Sequence, residues 1–278
     1  MKLYNDNSFQ VSKLTTRNYS TSFSLATSWF DKNTRDAIYS IYGFVRFADE
    51  IVDTFHEFDK KYLLAKFESD YYDAMKYGIS LNPVLNSFQI TVKKYNISDE
   101  HIQAFLRSME RDLEKNDYYN KSETDEYIYG SADVVGLMCL KVFCNGNNAL
   151  YNELEFSAMK LGSAFQKVNF LRDLKNDIEN LDRRYFPQID ENTFNNNHKI
   201  ALINDIEKDF NIAYIGIKKL PGRSKLSVLI AYYYYRNLLM KIKNTQAHQI
   251  METRIRISNI RKISLLIKTL LVYKLRLV

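Results

Sequence analysis

Only eight glycines and three prolines punctuate a chain of 278 residues. Proline interrupts the helical hydrogen-bond ladder and glycine raises the entropic cost of a helix, so a chain with this few breakers folds into long helices. Apolar residues recur with a period near 3.6 over 34–58, 59–77, 99–116, 123–144, 150–180, 200–219 and 224–252, and each stretch predicts a helix. Breaks fall at Asn82-Pro83, at Asn145-Gly146-Asn147 and at Pro221-Gly222, while ENTFNNNHK, 191–199, reads as a polar loop. No composition shift and no internal repeat divides the sequence. Residues 1–278 therefore read as a single all-α domain, a helical bundle whose chemistry lies inside it.

One apolar run carries an anomaly. RFADEIVD, 46–53, places three acids and an arginine in it, and burying an unpaired carboxylate costs several kcal/mol. On a helix, Tyr42, Arg46, Asp49 and Asp53 fall within a stripe of about 60°, with Glu50 just beside it. A lone pair of aspartates one turn apart is ordinarily a solvated face. Here IYGFVRF before the pair and Ile51-Val52 within it leave little polar surface.

NFLRDLKND, 169–177, repeats the arrangement. Gln166, Asn169, Asp173 and Asp177 share a stripe of about 80°, with Arg172 to one side. Aspartates at i and i+4 repel each other in an isolated helix, but a divalent cation of the Mg²⁺ kind takes carboxylate oxygens. If the two faces meet across a bundle, four carboxylates would hold two or three Mg²⁺ ions, with Mn²⁺ as the alternative. Such ions would clamp a diphosphate and make it a leaving group, and apolar walls would protect the resulting carbocation from water. Two solvated faces, or a structural di-metal site, remain as other readings. The di-iron pattern is set aside, because none of His56, His101, His198 and His248 completes a Glu-x-x-His motif.

Five segments together resemble the squalene/phytoene synthases, the head-to-head prenyltransferases, closest in type to the bacterial phytoene synthases. YSTSFSLA, 19–26, resembles the family's N-terminal motif, and IYGFVRFADEIVD, 41–53, its first aspartate motif. YIYGSADVVGLM, 127–138, is similar to its YxxYVAGxVG helix. LGSAFQKVNFLRDLKNDIENLDRRYFP, 161–187, resembles its second aspartate motif with a trailing Arg and Tyr-x-Pro. AYYYYRNLLMKI, 231–242, and RIRIS, 254–258, are similar to its late helices.

The resemblance implies a terpenoid-synthase-like bundle around a deep central cavity. It places metal ligands on Asp49, Asp53, Asp173 and Asp177, with Asn169 beside them. It places diphosphate contacts on Ser20, Ser22, Arg46, Arg172 and Tyr235, and sets Tyr42 and Tyr127 along the site; Phe23 and Gln166 complete the substrate-binding set. The implied reaction joins two geranylgeranyl diphosphates to phytoene through a cyclopropyl diphosphate. The alternatives are the same chemistry on farnesyl diphosphate, giving squalene or dehydrosqualene, with NADPH needed only for squalene, and a non-catalytic membrane-associated scaffold. The chain departs from the pattern at Asp133, where the family has the Gly of VAG, at Ser131 for Val, at Thr21 for Lys, and at DEIVD for DDIVD.

The balance of 39 basic against 33 acidic residues, net +6, points to an anionic partner. From Thr253 to Val278 there are seven Lys/Arg and no acids, mixed with Ile and Leu. This tail reads either as a basic amphipathic helix on an anionic membrane surface or as a last bundle helix with a solvated basic face. Arg254 or Arg256 is placed to reach the diphosphate site. No nucleic-acid motif appears, so nucleic acid is not expected as a partner. MKLYNDNSFQVSKL lacks a signal-peptide core, and no apolar run approaches the roughly 20 residues of a bilayer span. A cytoplasmic protein, peripheral to the inner face of the membrane, is expected. Cys139 and Cys144 read as buried core thiols of a reducing compartment, and nothing in the pattern specifies an oligomeric state.

Overall fold

In chain order the helices are α1 (Lys2–Tyr19), α2 (Thr21–Thr27), α3 (Lys32–Thr54), α4 (Lys60–Tyr77), α5 (Pro83–Tyr95), α6 (Asp99–Arg111) and α7 (Lys121–Ile128). A π turn (Tyr129–Asp133) joins α7 to α8 (Val134–Cys144). Then come α9 (Asn148–Glu179), α10 (Asn196–Ile217), α11 (Gly222–Asn244), α12 (Ala247–Glu252) and α13 (Asn259–Lys274). The computed structural model describes residues 1–114, 117–118, 120–181, 183–186 and 194–275. Among these, no strand forms beyond an isolated bridge between Asp117 and Arg184.

Side chains set many of the ends. Asp31, Asp59, Asn82 and Asn147 accept backbone N–H bonds in the first turns of α3, α4, α5 and α9, satisfying donors that a helix start leaves orphaned. Pro83 opens α5, where a missing N–H costs nothing. Gly78, Asn96 and Asn145 take the left-handed conformation that ends α4, α5 and α8.

Helix α9 runs through the molecule and packs on α8, α10, α11 and the π turn. On the other side α1, α3 and α5 form a second packed group, cored by Phe44 stacked 4.0 Å from Phe88. Between these groups lies a cavity of about 280 Å³, walled by α2, α3, α8, α9, α10 and α11.

Several expected boundaries move. The stretch 123–144 is one helical run, Lys121–Cys144, as expected, but a π turn widens it at Tyr129–Asp133. A Cβ on Gly130 would stand 2.8 Å from the Ala104 carbonyl oxygen, so the turn lies hard against α6. By length and apolarity 121–144 meets the requirements of a bilayer span, contrary to the sequence reading, but 56% of its most apolar window is buried in the bundle. The stretch 224–252 breaks after Asn244, where buried Lys199 donates to the carbonyl oxygen of Lys243 at 3.0 Å and also to that of Thr245. Helix α6 ends at Arg111 rather than 116, and residues 115–116 lie outside the described set. Of the loop expected at 191–199, residues 191–193 lie outside it too, while 196–199 begin α10. Cys144 is buried as expected, whereas Cys139 stands in the cavity wall.

Candidate active site

The cavity is lined almost wholly by carbon, from Phe30, Phe143, Leu154 and Leu220 at one end to Tyr42, Gln166, Asn169 and Tyr235 at the other. Polar groups gather at the second end. Gln166 Nε2 donates to Ser131 Oγ at 3.4 Å, Asn169 Nδ2 to Gln166 Oε1 at 3.5 Å, and Tyr235 OH to Asn169 Oδ1 at 3.2 Å. Tyr42 stacks on Phe23 at 4.9 Å, and Tyr235 on Phe165 at 3.9 Å. Burial pushes the Tyr42 phenol up to about 12, so it stands as a neutral hydrogen-bond donor. Ser20 caps α2 through the Phe23 N–H, and Ser22 is half-buried in the same helix.

Guanidinium groups pair with Asp49, Glu50 and Asp53 on α3 and with Asp173 on α9. On α3, Arg46 donates to Asp49 at 2.7 Å and also binds Glu50, while lying 4.3 Å over the Tyr19 ring. On α9, Arg172 Nε donates to Asp173 Oδ1 at 3.0 Å, and Arg254 Nε approaches the same oxygen at 2.6 Å. Asp53 accepts from Arg183 at 2.7 Å. Asp177 is buried, and desolvation first, then repulsion from Asp173 and Asp53, raises it to about 8. Burial and the charge of Asp53 likewise raise Asp49. Asp53 on α3 is thus among the charges that raise Asp177 on α9. The donor set is oxygen only, which fits a hard divalent cation. Among the described residues, no three His, Cys, Asp or Glu side chains already stand together as a metal cage.

Of the predicted residues, Phe23, Tyr42, Gln166, Asn169 and Tyr235 line the cavity. Tyr127 does not. It is buried behind the aspartates, donating to Asp112 Oδ2 at 2.7 Å and stacked 5.0 Å from Tyr185. Arg183 ties this nest to the site: besides Asp53 it meets the Asp112 carboxylate at 3.7 Å, the Asp112 carbonyl at 3.3 Å and Tyr185 OH at 3.4 Å. Asp112 was missed by sequence reasoning, because a single acid within the helix expected over 99–116 carries no local signal. Burial raises it to about 7 against the pull of Arg183. Asp133 points away from the cavity that its neighbours Ser131 and Ala132 line, accepting from Ser163 Oγ at 2.7 Å.

The squalene/phytoene synthase family profile matches residues 16–261. The chain is 26% identical over 272 residues to the 15-cis-phytoene synthase of Enterobacter agglomerans, covering 89% of this chain and 90% of that one. It is also 26% identical over 253 residues to a phytoene synthase of Pseudescherichia vulneris, covering 82% and 80%. The fold is similar to that of a dehydrosqualene synthase solved with ligand, at TM-score 0.82 and 20% identity over 97% of this chain and 98% of that chain. It is also similar to that of a squalene synthase from Alicyclobacillus acidocaldarius, at TM-score 0.75 and 20% identity over 87% and 95%. With its profile spanning most of the sequence, this chain belongs to the squalene/phytoene synthase family, divalent-metal-dependent prenyltransferases that join prenyl diphosphates head to head.

Proposed function

We propose that residues 1–278 act as one domain that condenses two geranylgeranyl diphosphates to phytoene through a cyclopropyl diphosphate. The observation that carries this reading is the reach of the apolar cavity. Helix α9 lines it from Asn169 to Leu154, a run of about 22 Å at 1.5 Å per residue. Such depth suits a C20 chain better than a C15 chain.

Asp49, Asp53, Asp173 and Asp177 would hold Mg²⁺, with Mn²⁺ as the alternative, and the bound ions would neutralise a diphosphate and make it a leaving group. The chain's own residues do the rest. Arg46 and Arg172 offer planar forks that match phosphate oxygens, and the hydroxyls of Ser20 and Ser22 add donors. Tyr42 and Tyr235 donate from the polar end of the cavity. The ring faces of Phe23 and Phe165 stabilise a developing cation, and the carbon walls keep water from it. Tyr127 acts from behind, by holding Asp112 and so Arg183 in place. The protein works in the cytoplasm, peripheral to the inner face of the membrane.

The test is to incubate the purified protein with Mg²⁺ and each prenyl diphosphate, with and without NADPH, and to identify the hydrocarbon by mass. Phytoene from the C20 substrate supports the proposal. Squalene or dehydrosqualene from the C15 substrate alone would move the assignment to the shorter chain. No hydrocarbon from either would leave a scaffold of the same fold.

A further inference from the structure

Helix α13 packs against the bundle by one face and leaves an apolar stripe on the other. Leu265 and Thr269 are buried, Leu265 against Ala26, Leu226, Ile230 and Tyr234. On the opposite side Ile260, Ile263, Ile267 and Leu271 are each more than half exposed. At 100° per residue these four fall within about 80° of arc, centred roughly 180° from the buried pair. Singly exposed apolar residues need no explanation, but four aligned on one helix mark a docking face.

The charges select the occupant. Arg261 and Lys268 line one edge of the stripe, Lys274 sits at its end, and Arg256 precedes it, all exposed. No acid follows Glu252. A second copy docked face to face would bring these cations no acid from its own α13, because a two-fold interface pairs one patch with itself. Isoleucines rimmed by lysine and arginine match acyl chains under anionic headgroups.

We propose that the outward face of α13 docks the protein on an anionic lipid bilayer, with Ile260, Ile263, Ile267 and Leu271 in the acyl boundary and Arg261, Lys268 and Lys274 among the headgroups. The position of α13 gives the docking a use, which rests on the prenyl-transfer reading. The layer between α13 and the cavity is thin: Ala26 on α2 and Ala231 on α11 both line the cavity and belong to the cluster under α13. Thr27 and Ser227 line the cavity from the same two helices, and their buried hydroxyls make no hydrogen bond across the seam. Docking turns the seam between α2 and α11, covered by α13, toward the lipid, so an apolar product has a short path out of the cavity.

The experiment is flotation with phosphatidylcholine vesicles that do or do not contain phosphatidylglycerol. The wild-type protein should float with the anionic vesicles, lose binding as salt rises, and stay behind with phosphatidylcholine alone. Ile263→Ser with Ile267→Ser, and separately Lys268→Glu with Lys274→Glu, should each weaken binding at least roughly tenfold. These positions face solvent, so circular dichroism and hydrocarbon synthesis from detergent-dispersed substrate should remain at wild-type levels. That second assay separates loss of docking from failure of the prenyl-transfer reading. The proposal is overturned if the wild type does not float, if either double variant floats unchanged, or if sedimentation shows a dimer that Ile263→Ser with Ile267→Ser dissolves.

Discussion

Asp133→Asn tests whether a carboxylate behind the cavity is held neutral. Asp133 is buried at the end of the π turn, and desolvation raises it to about 7, although the Ser163 hydroxyl, Lys160 and, more weakly, Lys167 favour its charged form. The unfolded chain sheds the same proton near the ordinary aspartate value of 3.8. Between those values the folded protein binds more protons than the unfolded one, so stability falls as pH rises and the cost is complete above pH 7. A gap of about 3 pH units at about 1.4 kcal/mol each makes the full cost on the order of 4 kcal/mol. Asparagine keeps an acceptor for the Ser163 hydroxyl but does not titrate. The variant should match the wild type near pH 4 and exceed it by up to that amount at pH 8. Urea midpoints from pH 4.5 to 8.5 measure the difference directly, and subtracting the two curves removes the like-signed contributions of Asp112 and Asp177. Parallel curves would refute the reasoning. So would a variant less stable at pH 8, which would mean an ionised Asp133 paired with Lys160 or Lys167.

Asp49→Asn and Asp173→Asn should each abolish hydrocarbon formation while moving the melting temperature little, since each would remove a proposed metal ligand and not packing; near-native turnover in either would contradict that role. Arg183→Met leaves Asp53 and Asp112 facing each other without their cation, and should cost about 3–5 kcal/mol; adding Asp112→Asn should recover part of it, and a double variant no more stable than the single one would show the pair to be uncoupled. Gly162→Ala would set a Cβ 2.7 Å from the Ala132 carbonyl oxygen, so it should lower stability by about 1–3 kcal/mol in denaturant melts.

The helices and acidic stripes were legible for one reason: each conflicts with, or repeats, a local period. Seven helices announced themselves through apolar faces, and DEIVD stood out because acids do not belong in an apolar run. Helix α1 gave no such sign, because its buried face is Ser8, Ser12, Thr15 and Thr16. It packs by hydroxyls, with Ser12 Oγ 2.8 Å from Ser87 Oγ and Asn86 Nδ2 donating to Ser8 Oγ at 3.0 Å. The break between α11 and α12 was hidden for another reason. No breaker marks it, and the cation that takes up its carbonyls is Lys199, 44 residues before Lys243.

The same distinction separates the two halves of the site. Arg46 and the four aspartates lie at helical spacing on α3 and α9, so composition and period point to them, while Ser20, Ser22 and Tyr235 were marked by the resemblance alone. The residues that hold that surface in place are joined only by folding: Arg183 reaches back 130 residues to Asp53 and 71 to Asp112. Tyr127 belongs with this second set. Its motif marks it as a site residue, yet its hydroxyl touches Asp112 and Tyr185, so it influences chemistry through the nest around Arg183. Substituting Phe for Tyr127 therefore ought to act like a mild form of the Arg183 change, lowering stability together with turnover. A tyrosine that met the substrate directly would lose turnover alone, and comparing the two losses in one variant decides between these roles.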